Sequence, residues 1–208
     1  MGLDLLRNIA IFVFSAAHVV PAFAQDALCE DAGSYLVQRY AQAGDAQAQF
    51  NLSQRLDQPH CSLAEQAKAL ELLHHAAFQN HPDASYLLGV RYIVGLGVSE
   101  DPALGLSYLV NAAEAGHLNA QFQFAMIRLE TAHTSDHRDQ ALYWLGAAAS
   151  QGDAKAALAL GHIYAGGLHG ITRETCWAMD WFDAAEMIAQ DARVDLSDLL
   201  PTGLRCDL

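Results

Sequence analysis

The chain has 208 residues, of which 52% are hydrophobic and 17% charged, so it can bury a sizeable core and is not typical of a disordered protein. Its formal net charge is −13 at pH 7. Nucleic acid and anionic membranes are polyanions, so this acidity argues against both as partners and favours a neutral or basic one.

Residues 1–24 have the pattern of a secretory signal peptide. A run of 12 mostly apolar residues, 9–20, follows Arg7, and Ala22 and Ala24 form a small-x-small cleavage site before Gln25. The run is shorter than the roughly 20 residues that a membrane-spanning helix needs. The sequence therefore predicts export across the inner membrane into the periplasm without a stable membrane anchor. An uncleaved anchor is the alternative.

From residue 44 onward, small and apolar residues recur at an interval of 36 residues. The first ladder consists of Ala48, Ala84, Ala120 and Ala156. A second ladder of alanine pairs begins at Ala76, Ala112, Ala148 and Ala184. A fixed period of this length predicts stacked helix hairpins.

The period divides the chain into four repeats of two helices, A and B, at 44–79, 80–115, 116–151 and 152–187. Residues 25–43 match a lone helix B that caps the N-terminal end. Residues 188–208 combine a lone capping helix A with a disulfide-tied tail. The predicted fold is an all-α, right-handed superhelical solenoid of about four 36-residue hairpins with half-repeats at both ends.

Local signals place the helix ends. Asp45, Asp101 and Asp153 suit N-cap positions, and Ser62 with Glu65 has the capping-box pattern. A small residue, five positions after the first alanine of each helix A, is predicted to let helix B approach closely.

Four cysteines in an exported chain predict two disulfides, for which three pairings are possible. Cys29 and Cys176 lie 147 residues apart, and Cys61 and Cys206 lie 145 apart, so each interval is close to four periods. The two ends of the chain therefore carry nearly equivalent pairs. This register predicts Cys29–Cys61 and Cys176–Cys206, which would hold the end repeats against fraying.

The second repeat resembles the Sel1-like repeat family, a relative of the tetratricopeptide repeat. The matching residues are Ala84, Tyr86, Leu88, Gly89, Tyr92, Gly95, Gly97, Val98, Asp101, Ala112, Ala113 and Gly116. The fourth repeat shares several of them, whereas the first and third keep the helical positions and lack the glycine loop. The resemblance implies a scaffold or adaptor for protein–protein contacts, often in bacterial envelopes.

Some positions of each helix A point away from its buried face and are predicted to line the concave wall of the superhelix. The candidate protein-binding residues are Phe50, Asn51, Gln54, Tyr86, Val90, Phe122, Gln123, Met126 and His162. Aromatic and methionine anchors among amides suit a peptide or helix. The alternative for the aromatic row is packing between neighbouring A helices.

The sequence contains little that suggests catalysis. His133, Asp136 and His137 form the best metal-ligand cluster, but they fall in a predicted loop and lack the order seen in H-E-x-x-H. We therefore predict no catalytic, cofactor-binding or metal-binding residues, and a protein that is not an enzyme. The predicted function is a periplasmic adaptor or inhibitor of another envelope protein. The alternatives are an immunity protein that neutralises a secreted toxin and a cell-wall-related hydrolase.

Overall fold

The computed structural model describes residues 35–131, 134–192, 196, 199–201 and 204–206. Within this part of the chain all regular secondary structure is helical, which confirms the predicted fold class. We number the α-helices in chain order: α1 Tyr35–Gln42, α2 Ala46–Leu56, α3 Leu63–Phe78, α4 Pro82–Val94, α5 Pro102–Glu114, α6 Leu118–Glu130, α7 Ser135–Ser150, α8 Ala154–Gly166 and α9 Thr175–Ala192. A short 3-10 helix, Leu168–Gly170, precedes α9. The predicted leader, residues 1–24, lies outside the described residues.

The helices pair into hairpins within two compact units, which divide between His117 and Leu118. In the N-terminal unit α2 packs on α3 and α4 packs on α5, while α1 lies against α2. In the C-terminal unit α6 packs on α7 and α8 packs on α9. Each of the first three predicted repeats therefore contains one helix hairpin.

Side-chain caps and left-handed residues set the hairpin bounds. Asp45, Ser62, Asp101 and Asp153 accept hydrogen bonds from backbone N–H groups at the starts of α2, α3, α5 and α8, which confirms the predicted N-caps. The capping box is also present, since the Ser62 N–H donates to the Glu65 carboxylate at 2.8 Å. The turns after the B helices use positive φ angles at Asn80 (60°), Gly116 (87°) and Gly152 (93°).

The two alanine ladders lie at the centre of the helix contacts. Their fully buried members, each 0% exposed, are Ala76, Ala84, Ala112, Ala120, Ala148 and Ala156. The predicted small positions do let helix B come close. A Cβ atom on Gly89 would lie 2.9 Å from the Leu109 side chain, and one on Gly161 would lie 2.5 Å from Phe182.

The fourth repeat departs from the 36-residue register after the Leu168–Gly170 turn. Phe182 takes the position of Leu145 at an interval of 37 residues, because this turn carries one extra residue. The fully buried alanine is consequently Ala185, at 0% exposure, whereas the adjacent Ala184 is half-buried.

Helix α9 is longer than the earlier B helices and ends at Ala192. In the shifted register, Ala189 stands where Gly152 follows α7, so no residue with positive φ stops the helix. The capping helix predicted from residue 188 thus begins inside α9. Beyond it, the described residues 196 and 199–201 are not helical.

A disulfide joins Cys176, at the start of α9, to Cys206 in the C-terminal tail, which is the pairing that the repeat register predicts. Cys61 is also disulfide-bonded. Its predicted partner, Cys29, lies outside the described residues, so that pairing stays a prediction. Among the described helices, none has the length and apolar character needed to cross a membrane.

Candidate protein-binding surface

Helices α2 and α4 lie side by side in the N-terminal unit, and they carry five of the predicted docking residues. These residues are Phe50, Asn51, Gln54, Tyr86 and Val90. Asp57, which follows α2, forms an ion pair with Arg91 of α4, and Gln54 and Leu87 line one shallow recess. We call the outward face of α2 and α4 the amide–aromatic strip, after these five residues.

The two aromatic rings of the strip are each stacked on a histidine. Phe50 stacks on His81 with ring centroids 4.8 Å apart and an interplanar angle of 25°. Tyr86 stacks on His117 at 4.2 Å and 19°. His117 lies one repeat, 36 residues, beyond His81, and each histidine immediately precedes an A helix in the sequence. Both rings are half-buried, so each packs on its histidine and still keeps an exposed part.

Hydrogen bonds hold these histidines in place. His81 caps α4, since its Nδ1 accepts from the Ala84 N–H at 3.4 Å. Its Nε2 therefore carries the hydrogen and donates to the Gln47 Oε1 at 3.1 Å. The His117 Nε2 lies 3.3 Å from the Asp83 Oδ1, and Asp83 occupies the repeat position of Gln47. Both stacks are thus braced by the second residue of the preceding A helix.

Burial lowers the pKa of His117 below its ordinary value of 6.5, while the nearby Asp83 carboxylate opposes that shift. The imidazole that supports Tyr86 is consequently neutral at pH 7. A neutral ring can stack on the phenol without the cost of burying a charge.

Exposed amides lie beside the anchored rings. Asn51 and Gln54 are both exposed on α2, and the Gln47 amide donates to the Asn51 Oδ1 at 3.0 Å. Below them Arg91 is only 5% exposed, and burial lowers the pKa of its guanidinium below the usual range. The strip therefore exposes amide groups and the edges of two aromatic rings, while the charge of Arg91 beneath them is buried and paired with Asp57.

The predicted docking residues of the C-terminal unit have different surroundings. Phe122 and Met126 are half-buried and pack against the core of this unit, and Gln123 is also half-buried. His162 is exposed on α8, with its ring edge-on to Phe182 at 5.0 Å. Leu158 replaces the aromatic residue and is 7% exposed. Among the residues that the structure describes, an aromatic ring stacked face to face on a histidine therefore occurs in the N-terminal unit alone.

Three segments of the chain, residues 82–117, 135–153 and 154–185, match the Sel1 repeat family. These three segments are similar to Sel1 repeats. Such repeats mediate protein–protein interaction. The matched segments include the Tyr86–His117 stack and the α4–α5 hairpin.

Solved and curated relatives agree with this assignment. The chain is similar to c5321, a protective antigen of uropathogenic Escherichia coli with an SLR fold, at 28% identity and a TM-score of 0.64 over 73% of this chain and 32% of that one. The chain is also similar to a Sel1 repeat protein from Oxalobacter formigenes, at 29% identity and a TM-score of 0.63 over 76% of this chain and 46% of that one. The protein NMB1327 of Neisseria meningitidis serogroup B is 35% identical over 98 residues, 47% of this chain and 20% of its own length. The chain thus spans less than half of each relative.

A cluster that the sequence did not predict lies between the helix hairpins of the N-terminal unit. Both ring nitrogens of His74 lie 3.3 Å from tyrosine hydroxyls, those of Tyr92 and Tyr108, whose rings stack at 5.8 Å and 7°. Burial lowers the pKa of His74 and raises that of Tyr108. The three residues come from α3, α4 and α5, so only the stacking of repeats brings them together.

The described residues hold no group of three or more histidine, cysteine or acidic side chains placed to share a metal ion. The sequence candidate included His133, which lies outside the described residues. His137 lies at the start of α7, with its Nδ1 3.2 Å from the Thr131 carbonyl oxygen.

Proposed function

We propose that this Sel1-repeat protein is an exported, non-enzymatic adaptor or inhibitor that binds a segment of another envelope protein on the amide–aromatic strip. The observation that supports the proposal most directly is the pair of stacks, Phe50 on His81 and Tyr86 on His117. Rings that are already fixed lose little conformational entropy when a partner packs on them. They therefore suit the role of binding anchors.

The composition of the strip favours a peptide segment as the occupant. The exposed Asn51 and Gln54 amides can pair with the polar groups of a peptide backbone, while Tyr86 and Val90 offer apolar contact area. The net charge of −13 favours a neutral or basic segment, because complementary charge speeds association and disfavours acidic competitors.

The Cys176–Cys206 disulfide supports an oxidising compartment for the mature protein. Residues 1–24 would supply the export signal. We therefore place the proposed interaction in the periplasm.

Site-specific photo-crosslinking in the native host tests the proposal. A photoreactive amino acid replaces Gln54, which is exposed on the strip, and in a matched strain it replaces Lys68, which is exposed on α3 away from the strip. We expect a defined adduct from position 54 and none from position 68. An envelope protein in the adduct would identify an adaptor or inhibitor, whereas a toxin would identify an immunity protein.

The captured partner then allows a quantitative test of the anchors. Tyr86→Ala is expected to weaken its binding about 30-fold, the loss typical of a truncated interface anchor. Tyr143→Ala removes an exposed tyrosine from α7 and should leave affinity unchanged. Equal adducts from positions 54 and 68, or equal affinity for both tyrosine variants, would contradict binding on the strip.

A further inference from the structure

A cavity of about 220 Å³ lies in the C-terminal unit, between α9 and the tail that follows it. Its apolar wall comes from Met179 and Phe182 of α9 and from Leu200 and Leu204 of the tail. Cavities of about 150 Å³ accommodate benzene in other proteins, so this space is large enough for a long side chain.

The open side of the cavity is acidic. Asp183 and Glu186 both line it, and both are exposed. They are three residues apart on α9 and so share one helix face. Glu186 accepts a hydrogen bond from the Gln190 amide at 3.3 Å. Among the described residues, neither carboxylate lies within 4.0 Å of a lysine, arginine or histidine nitrogen.

The charge of α9 is one-sided. The helix sequence contains four carboxylates and no lysine or arginine. A cation entering the cavity therefore meets no basic side chain of this helix, while the tail contributes a single basic residue, Arg205, among those described.

The disulfide holds the second wall in place. Cys206 follows Leu204 by two residues and is bonded to Cys176 at the start of α9. Leu200 and Leu204 also pack against the core of the C-terminal unit. The cavity therefore depends on a covalently tethered tail rather than on the repeat motif.

From this geometry we infer a second binding site, in which the cavity takes a lysine or arginine side chain from a basic segment of a protein partner. The aliphatic stem packs on Phe182 and Met179, and the charged head lies between Asp183 and Glu186. Long basic side chains bury their methylene groups in this way while the charged end remains in water. The site lies in a different unit from the amide–aromatic strip and does not rest on the proposed function.

Methyl NMR of the full, disulfide-bonded chain tests the inference. The chain has four methionines, and with ¹³C-methyl labelling Met179 reports on the cavity while the exposed Met187 serves as an internal control on the same helix. The test peptides are acetylated tripeptide amides, Leu-Lys-Leu and Leu-Arg-Leu, with Leu-Gln-Leu and Leu-Glu-Leu as matched controls. We expect saturable shifts of the Met179 signal with the two basic peptides alone.

Variants separate charge from cavity shape. Asp183→Asn with Glu186→Gln should weaken binding of the basic peptides about tenfold, as expected for two partly exposed ion pairs. Asp180→Asn changes an exposed carboxylate of α9 that does not line the cavity, and should leave binding unchanged. Cys176→Ser with Cys206→Ser frees the tail and should abolish the Met179 shift.

Three results would overturn the inference. The first is an unchanged Met179 signal with every peptide. The second is an equal shift with the glutamine peptide, which would show an apolar cavity without selection for charge. The third is undiminished binding in the Asp183→Asn, Glu186→Gln variant.

Discussion

At the scale of single residues, the hairpins depend on glycines at the points where two helices touch. Gly105 of α5 faces Gly89 of α4 so closely that a Cβ atom on Gly105 would lie 2.7 Å from the Gly89 carbonyl oxygen. The same atom would lie 2.7 Å from the Ile93 side chain. Backbone atoms cannot move aside as a flexible side chain can, so the α4–α5 hairpin requires glycine at position 105.

We predict that Gly105→Ala lowers the free energy of unfolding by about 1–3 kcal/mol, because the added methyl group overpacks the hairpin. Gly146→Ala is the matched control within another B helix, since nothing lies within 4 Å of a Cβ atom there. That change should raise stability by about 0.5–1 kcal/mol. Urea unfolding followed by far-UV circular dichroism measures both. Similar effects of the two substitutions would contradict the close contact.

The histidine beneath Tyr86 predicts a pH dependence of stability. His117 faces Asp83 and Tyr86, and its pKa in the folded protein is lowered, chiefly by burial. Below pH 6.5 the unfolded chain therefore binds more protons than the folded protein. The contribution of His117 to the free energy of unfolding is complete above that pH and is lost as the pH falls through the pKa of the folded protein. His74, whose pKa is also lowered, acts in the same direction.

Accordingly, His117→Gln should reduce the difference in unfolding free energy between about pH 7.5 and 5.5 while keeping its sign, because His74 remains. Urea unfolding at the two pH values measures the difference. An unchanged or larger difference in the variant would contradict a neutral, buried His117.

At the scale of helices, the ends were predictable and most contacts between repeats were not. A cap such as Ser62 with Glu65 involves neighbours in the chain, so its pattern is visible in the sequence. The Arg91–Asp57 pair and the His81 stack join residues 34 and 31 positions apart. Their side chains meet only after the helices stack, and many residue pairs have similar separations. Helix α9 runs past the predicted boundary at residue 187, because the register shift after Gly170 places Ala189 where a glycine follows α5 and α7.

The tether between α9 and the tail has a stability consequence that can be measured within one unit. All three tryptophans, Trp144, Trp177 and Trp181, belong to the C-terminal unit, so their fluorescence reports on it. The double substitution Cys176→Ser, Cys206→Ser removes a disulfide that joins positions 30 residues apart. On the loop-entropy model it should lower the free energy of unfolding by about 3–4 kcal/mol. The tryptophan unfolding midpoint in urea should fall.

Reductant provides the control for that prediction. It should move the tryptophan midpoint of the original chain toward that of the serine variant, while the variant itself stays unchanged. A variant whose midpoint equals that of the oxidised original chain would show that the bridge adds no stability.

At the scale of the whole molecule, the Cys176–Cys206 disulfide is consistent with an extracytoplasmic location. The net charge of −13 is spread over a chain with 24 acidic and 11 basic residues. The repeat period made the fold class predictable, because the same small residues return in each hairpin. The binding role was predictable only in outline, since the Sel1 residues are those that pack the helices.

Export is tested with the full chain expressed in a Gram-negative host. We expect a periplasmic product that begins at Gln25 and has no thiol reactive to maleimide. Deletion of residues 2–24 should leave the protein in the cytoplasm with reactive thiols. A full-length product that retains residues 1–24 in the membrane fraction would instead support the uncleaved anchor.

The stacks on His81 and His117 also bear on how such a chain can lengthen. The second repeat has His81 at the N-cap of its first helix, and its Tyr86 stacks on His117 near the start of the following repeat. The same repeat therefore carries both partners of such a stack, a tyrosine and a histidine. A tandem duplication of residues 80–115 would supply every new tyrosine with a matching imidazole, so this segment is a natural module for gene duplication and for consensus arrays.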